Sequence, residues 1–127
     1  MRTDWRQLSR AAGVAVTTNG LKVSLGGGRQ HTLIVDEVDG DTAVLRLWSV
    51  AAPARVVLHP EMTDIVAWER NRTSDLVGFK VDGRGRLIGE AWVPQIGLDA
   101  EEWAIYVRAV AEACDRVEYL LTGRDEL

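Results

Sequence analysis

The 127-residue chain has a single cysteine, Cys114, so no intramolecular disulfide can staple it. It also lacks any run of about 18 apolar residues, which excludes a membrane-spanning helix. The opening stretch MRTDWRQLSRAAG has no apolar segment of signal-peptide length, so a cytoplasmic protein is expected. A surplus of positive charge is missing too. With 15 Lys and Arg against 19 Asp and Glu, the net charge is -4. Nucleic-acid binding needs clustered cations to displace counterions. Here the basic residues are mostly scattered arginines, and the loose group Arg70, Arg72, Arg84 and Arg86 reads as solvated turn residues. No nucleic-acid or membrane partner is expected.

Chemistry-bearing motifs are equally scarce. His31 and His59 are far apart, and neither has a Cys or carboxylate nearby at a metal-ligand spacing. Asp36 and Glu37 are neighbours on an expected strand and point to opposite faces, so they cannot act on one group. Asp39 and Asp41 resemble the start of a calcium loop, but the glycine and terminal Glu of such a loop do not follow. The glycine triplet Gly26–Gly28 with Arg29 has no Gly-Lys-Ser/Thr ending and opens no helix, so it reads as a turn rather than a phosphate cradle. Ser9, Ser24, Ser49 and Ser74 sit in no nucleophile-elbow context. No catalytic, cofactor-binding or metal-ligating residues are assigned, no cofactor is called for, and a non-enzyme is expected. An enzymatic reading would need Asp36, Glu37, His31 and Glu90 to converge in one pocket.

What is present is the composition of one ordinary folded domain spanning residues 1–127, 46% hydrophobic and 27% charged. Its strongest feature is Asp99 to Thr122. Trp103, Val107, Val110, Cys114, Val117 and Leu121 recur there in steps of four and three, the stripe of an amphipathic helix. Asp99 and Glu102 make a capping-box-like start, and Gly123 sits where the helix should stop. A helix of that length spans on the order of 35 Å, enough to cross a small sheet.

Upstream, Thr3 or Asp4 can cap a short helix through Ala12 that ends at Gly13. Val14–Thr17 and Leu21–Leu25 are β-prone segments around Asn19-Gly20, a hairpin signal because both residues tolerate positive φ. Gln30–Val38 and Ala43–Val50 should pair antiparallel across Asp39–Thr42. In the latter, Val44, Arg46, Trp48 and Val50 share one face and Ala43, Leu45, Leu47 and Ser49 the other. Neither face is purely polar, so the sheet should be covered on both sides, or covered on one and used for contact on the other. Ala51–Pro60 reads as irregular or edge strand, and Pro60 or Glu61 to about Arg72 as a second helix. Asp75–Val81 and Arg86–Val93 flank Asp82-Gly83-Arg84-Gly85 as a further hairpin. The predicted class is α+β, an antiparallel sheet of about five strands with helices packed on it, in the order α-β-β-β-α-β-β-α.

Five tryptophans, at 5, 48, 68, 92 and 103, exceed the one or two expected at about one per cent usage. Large aromatics fill cores and anchor interfaces. Trp48 and Trp92 are the candidates for a contact surface, because their strand neighbours on the same faces, Arg46 and Glu90, are charged.

The stretches TDIVAWERNRTSD, LVGFKVDGRGRLIGEAWVP and LDAEEWAIYVRAVAEACDRVEYLL, with the order of elements, resemble the YbjN-type family, which shares the fold of the class I type III secretion chaperones. The resemblance covers about half of the chain as sequence. It implies a small acidic bacterial protein, often a homodimer without enzymatic activity, that binds other polypeptides or has a regulatory role. Chaperones of that fold hold an extended client segment, in some cases by adding a strand to the sheet. The expected function is therefore a non-catalytic protein-binding module, chaperone- or adaptor-like, forming a homodimer. Its interface is sought at Trp48, Trp92, Arg46 and Glu90, or along the last helix at Trp103, Val107 and Val110. The alternative is a small-ligand or lipid carrier with a cavity between the sheet and the long helix.

Overall fold

A computed structural model describes residues 4–38, 44–57 and 76–122. The helix expected near 61–72, the 39–42 link and the Gly123 stop lie outside the described residues. The architecture is one six-stranded, wholly antiparallel sheet with helices on it, so the α+β class is as expected.

The chain starts with helix α1, Trp5–Ala11. Asp4 caps it, its carboxylate accepting from the Arg6 amide at 3.0 Å, and Gly13 leaves it at φ 76°. Strands β1 (Ala15–Val16) and β2 (Gly20–Leu25) form the first hairpin, with Ala15 opposite Lys22. Gly20 does not take the positive φ expected of it. A glycine is required there because the backbone around Leu33 passes too close: a Cβ would lie 1.9 Å from the Leu33 carbonyl oxygen.

The glycine triplet closes a second hairpin. Gly27 and Gly28 take φ 75° and 77°, which lets Leu25 and Arg29 pair directly as β2 turns into β3 (Arg29–Val38). Strand β4 (Val44–Ala52) pairs with β3 on one side and with β6 (Leu87–Pro94) on the other, past a bulge between Val50 and Ala52. A single helical turn, α2 (Ala54–Val57), follows β4 where irregular chain or edge strand was expected. Strand β5 (Gly78–Val81) returns through the expected Asp82–Gly85 turn. There the Asp82 carboxylate accepts from the amides of Arg84 and Arg86 and from the Arg86 guanidinium, and these hydrogen bonds, that from the Arg86 side chain foremost, lower its pKa.

The strand order is β1-β2-β3-β4-β6-β5. The sheet has six strands rather than about five because the two short segments flanking Asn19 both join it.

Helix α3 (Ala100–Thr122) is the long amphipathic helix, and Asp99 accepts from the Glu102 amide at 2.8 Å as its cap. It lies across β2, β3, β4 and β6. Trp103, Val107, Val110, Cys114 and Val117 are all buried against the inward side chains of those strands, Leu21, Leu33, Leu45, Leu47, Ala91 and Val93 among them. Each such side chain contributes about 1.5–3 kcal/mol on leaving water. Ser9 ties α1 to this layer: its hydroxyl donates to the Trp5 carbonyl at 2.7 Å and accepts from Trp103 Nε1 at 2.8 Å.

Helix and sheet approach closely at Gly89 of β6, where a Cβ would meet Cys114 Sγ at 2.5 Å and Phe79 Cε1 at 3.2 Å. Gly89→Ala should therefore cost about 1–3 kcal/mol in urea unfolding, the typical penalty of overpacking. Cys114→Ala in the same chain should recover part of that loss, because the added methyl then occupies the space the sulfur leaves. A double variant no more stable than Gly89→Ala alone would show that this contact is not what sets the helix-to-sheet distance.

Candidate functional site: the outer face of the sheet

Alternation along the strands sends Asp36, Arg46, Trp48, Lys80, Glu90 and Trp92 to the face opposite α3. Register stacks them. Asp36 is opposite Arg46, Arg46 opposite Trp92, and Trp48 opposite Glu90. Four of the residues sought for a contact surface, Trp48, Trp92, Arg46 and Glu90, are thus brought together on two adjacent strands.

Arg46 is the hub. Its Nε donates to Glu90 at 2.6 Å and its Nη1 to Asp36 at 3.4 Å, while Lys80 reaches the other Glu90 oxygen at 3.2 Å. The result is a line of alternating charge across β3, β4, β6 and β5. Trp48 is fixed within it, its Nε1 donating to Asp36 at 2.9 Å and its ring lying 5.0 Å from the Arg46 guanidinium carbon. Trp92 is left prominent at 52% exposure, although it lies on an internal strand. Beside it is a cleft of about 300 Å³ lined by Leu76, Gly78, Glu90, Ala91, Trp92 and Tyr106.

Strand β5 is too short to cover all of β6. Pairing ends at Gly78 opposite Glu90, so among the described residues no strand flanks Ala91 to Pro94 on that side. Backbone edge and exposed tryptophan therefore coincide at Trp92.

The other half of the expected surface is corrected. Trp103, Val107 and Val110 are at most 1% exposed and are spent on the chain's own core, since the stripe is only wide enough to cover the inner face of the sheet. The outward residues of α3 are others, including Ile105, Tyr119 and Leu120.

Asp36, Glu37, His31 and Glu90 do not converge. Asp36 and Glu90 share the outer face, exposed Glu37 is on the alternate side, and His31 is buried at 1% exposure on the inner face opposite Val23. There the fold produces an unforeseen grouping: His31, Asp115 and Glu118, all buried, have donor atoms within 4.8 Å of one another. Spacing along the chain could not reveal it, with His31 and Asp115 84 positions apart. The available signal was local, since Glu118 lies four residues after Cys114 and so falls on the apolar stripe. His59 lies outside the described residues.

Burial pushes the Glu90 carboxyl up, but the hydrogen bonds from Arg46 and Lys80 outweigh it and hold the group below its ordinary 4.5. A depressed carboxyl contributes stability above its unfolded pKa and loses it as pH falls through the lower folded value. Unfolding free energies of wild type and Glu90→Gln should therefore differ by a constant amount near neutral pH and converge as the pH drops below about 4.5. Parallel curves down to acid denaturation would contradict the network's role.

No protein-family model matches the chain, and no curated protein matches it by sequence.

Proposed function

We propose that the protein is a non-catalytic protein-binding module, chaperone- or adaptor-like, that works as a homodimer and engages polypeptide through the outer face of its sheet around Trp92. The observation that carries this reading is Trp92, half exposed in the middle of a sheet, at the point where the β6 edge is left open by β5. Exposed tryptophan beside a cleft is the usual anchor of a protein interface. An unflanked strand edge offers backbone donors and acceptors to an extended segment, with side-chain pockets on either side of it.

The surrounding charges suit such a role. Arg46, Glu90, Asp36 and Lys80 satisfy one another, so the rim is polar without leaving one sign in excess. Rigid Trp48 needs little ordering on contact, and preorganised surfaces lose less entropy on binding. The YbjN-type resemblance points the same way, as a family of small acidic proteins that bind polypeptides.

Analytical ultracentrifugation at micromolar concentration should find a dimer in the wild type, and Trp92→Ala should weaken it by at least about 2 kcal/mol, a hot-spot truncation cost. Screening a library of extended peptides should give binders that the same substitution releases. Since Trp92 is solvent-exposed, circular dichroism of the variant should match the wild type. A strict monomer that retains no peptide would overturn the reading.

A further inference from the structure

The buried grouping beneath the sheet is independent of the outer face. His31 comes from β3, Asp115 and Glu118 from one side of α3, with exposures of 1%, 6% and 0%. Residues three apart on a helix project together, so the two carboxylates approach the imidazole as a pair. The imidazole is oriented from behind. Its Nε2 lies 3.2 Å from the Val50 carbonyl oxygen, and a carbonyl only accepts, so Nε2 carries a hydrogen, and the tautomer with that hydrogen has its lone pair on Nδ1. A backbone carbonyl holding one imidazole nitrogen while the other faces a cation is the common support of a metal-binding histidine.

We propose that His31, Asp115 and Glu118 bind one divalent transition-metal cation of the zinc type. One imidazole nitrogen and two carboxylate oxygens are a set that zinc accepts, with a fourth position for water, whereas calcium asks for six or more oxygens. Zinc bonds of about 2.1 Å in a tetrahedron place donors roughly 3.4 Å apart, so side chains now within 4.8 Å of each other need only a small rotation.

Asp115 also lines a cleft of about 420 Å³ with Arg29, Arg108, Glu112 and Arg116, which provides the route in. Arg29 is the competitor, 3.4 Å from Asp115, but its side chain is 43% exposed and can swing into water. All three ligand residues already have interactions in the protein, so the cation exchanges contacts rather than filling a gap.

The test is calorimetric titration of chelator-treated protein with zinc chloride. One equivalent should bind, and the thermal midpoint should rise with it. His31→Gln, Asp115→Asn and Glu118→Gln should each weaken binding by more than the about 10–100-fold lost with an outer-shell partner. His59→Gln should bind as wild type. Cobalt gives a check that needs no variant: weak ligand-field bands with no thiolate charge-transfer band support the site, because Cys114 is not in the donor set. Wild type that takes up no zinc, uptake unchanged in all three variants, uptake lost in His59→Gln, or a cobalt–thiolate band would each overturn the proposal.

Discussion

Among the described residues, one long helix covers one face of the sheet, and the arrangement of the core follows from it. The stripe of α3 from Trp103 to Val117 is buried against β2, β3, β4 and β6, and α1 joins the same layer through Ser9 and Trp103. Among the described residues, α1 and α3 lie on the inner side. Strands β4 and β6 nevertheless carry large side chains on both faces, which a sheet with one solvated face would not need. The outer tryptophans are therefore a property of the surface and not of the fold's cohesion.

The ionic line across the outer face does not change that conclusion. Exposed ion pairs contribute roughly 0–1 kcal/mol each, little beside the burial of the α3 stripe. What the charges do is positional. Arg46 stands between Asp36 and Glu90 and under the Trp48 ring, so Trp48 is held down while Trp92 on the next strand stays proud. A surface built only for solubility would have no use for that difference between two neighbouring tryptophans.

Local pattern carried much of this and could carry no more. The α3 stripe, the Asp99 cap, the Asp82–Gly85 turn and the grouping of Trp48 with Arg46 are all written in residues a few positions apart, where periodicity and turn chemistry operate. Which strand neighbours which is decided by long-range pairing, so nothing local says that β4 pairs with β6 and leaves β5 at the edge. Gly20 shows the same boundary. It reads as a turn glycine, yet its constraint is the backbone of a strand more than ten residues later. Trp103, Val107 and Val110 were open to either assignment from sequence, because a stripe does not state whether its cover is the chain's own sheet or a second molecule.

The two polar clusters can be weighed against each other on cost. The outer one is partly solvated and nearly free to keep. The inner one places an imidazole and two carboxylates at 6% exposure or less within an otherwise apolar layer, where desolvation costs several kcal/mol per ion before partners compensate. The fold gains nothing from this that leucines of similar volume would not supply, and buried ionic groups replaced by well-packed apolar ones are often neutral or stabilising. Two negative groups held a few ångströms apart do create a demand for positive charge, whether from a proton on the imidazole, from Arg29, or from a dication. Of these, Arg29 stands on the cleft side, 3.4 Å from Asp115. The dication is the one that all three donors can contact at once, which is why the expensive cluster, and not the cheap one, is where a bound ion belongs.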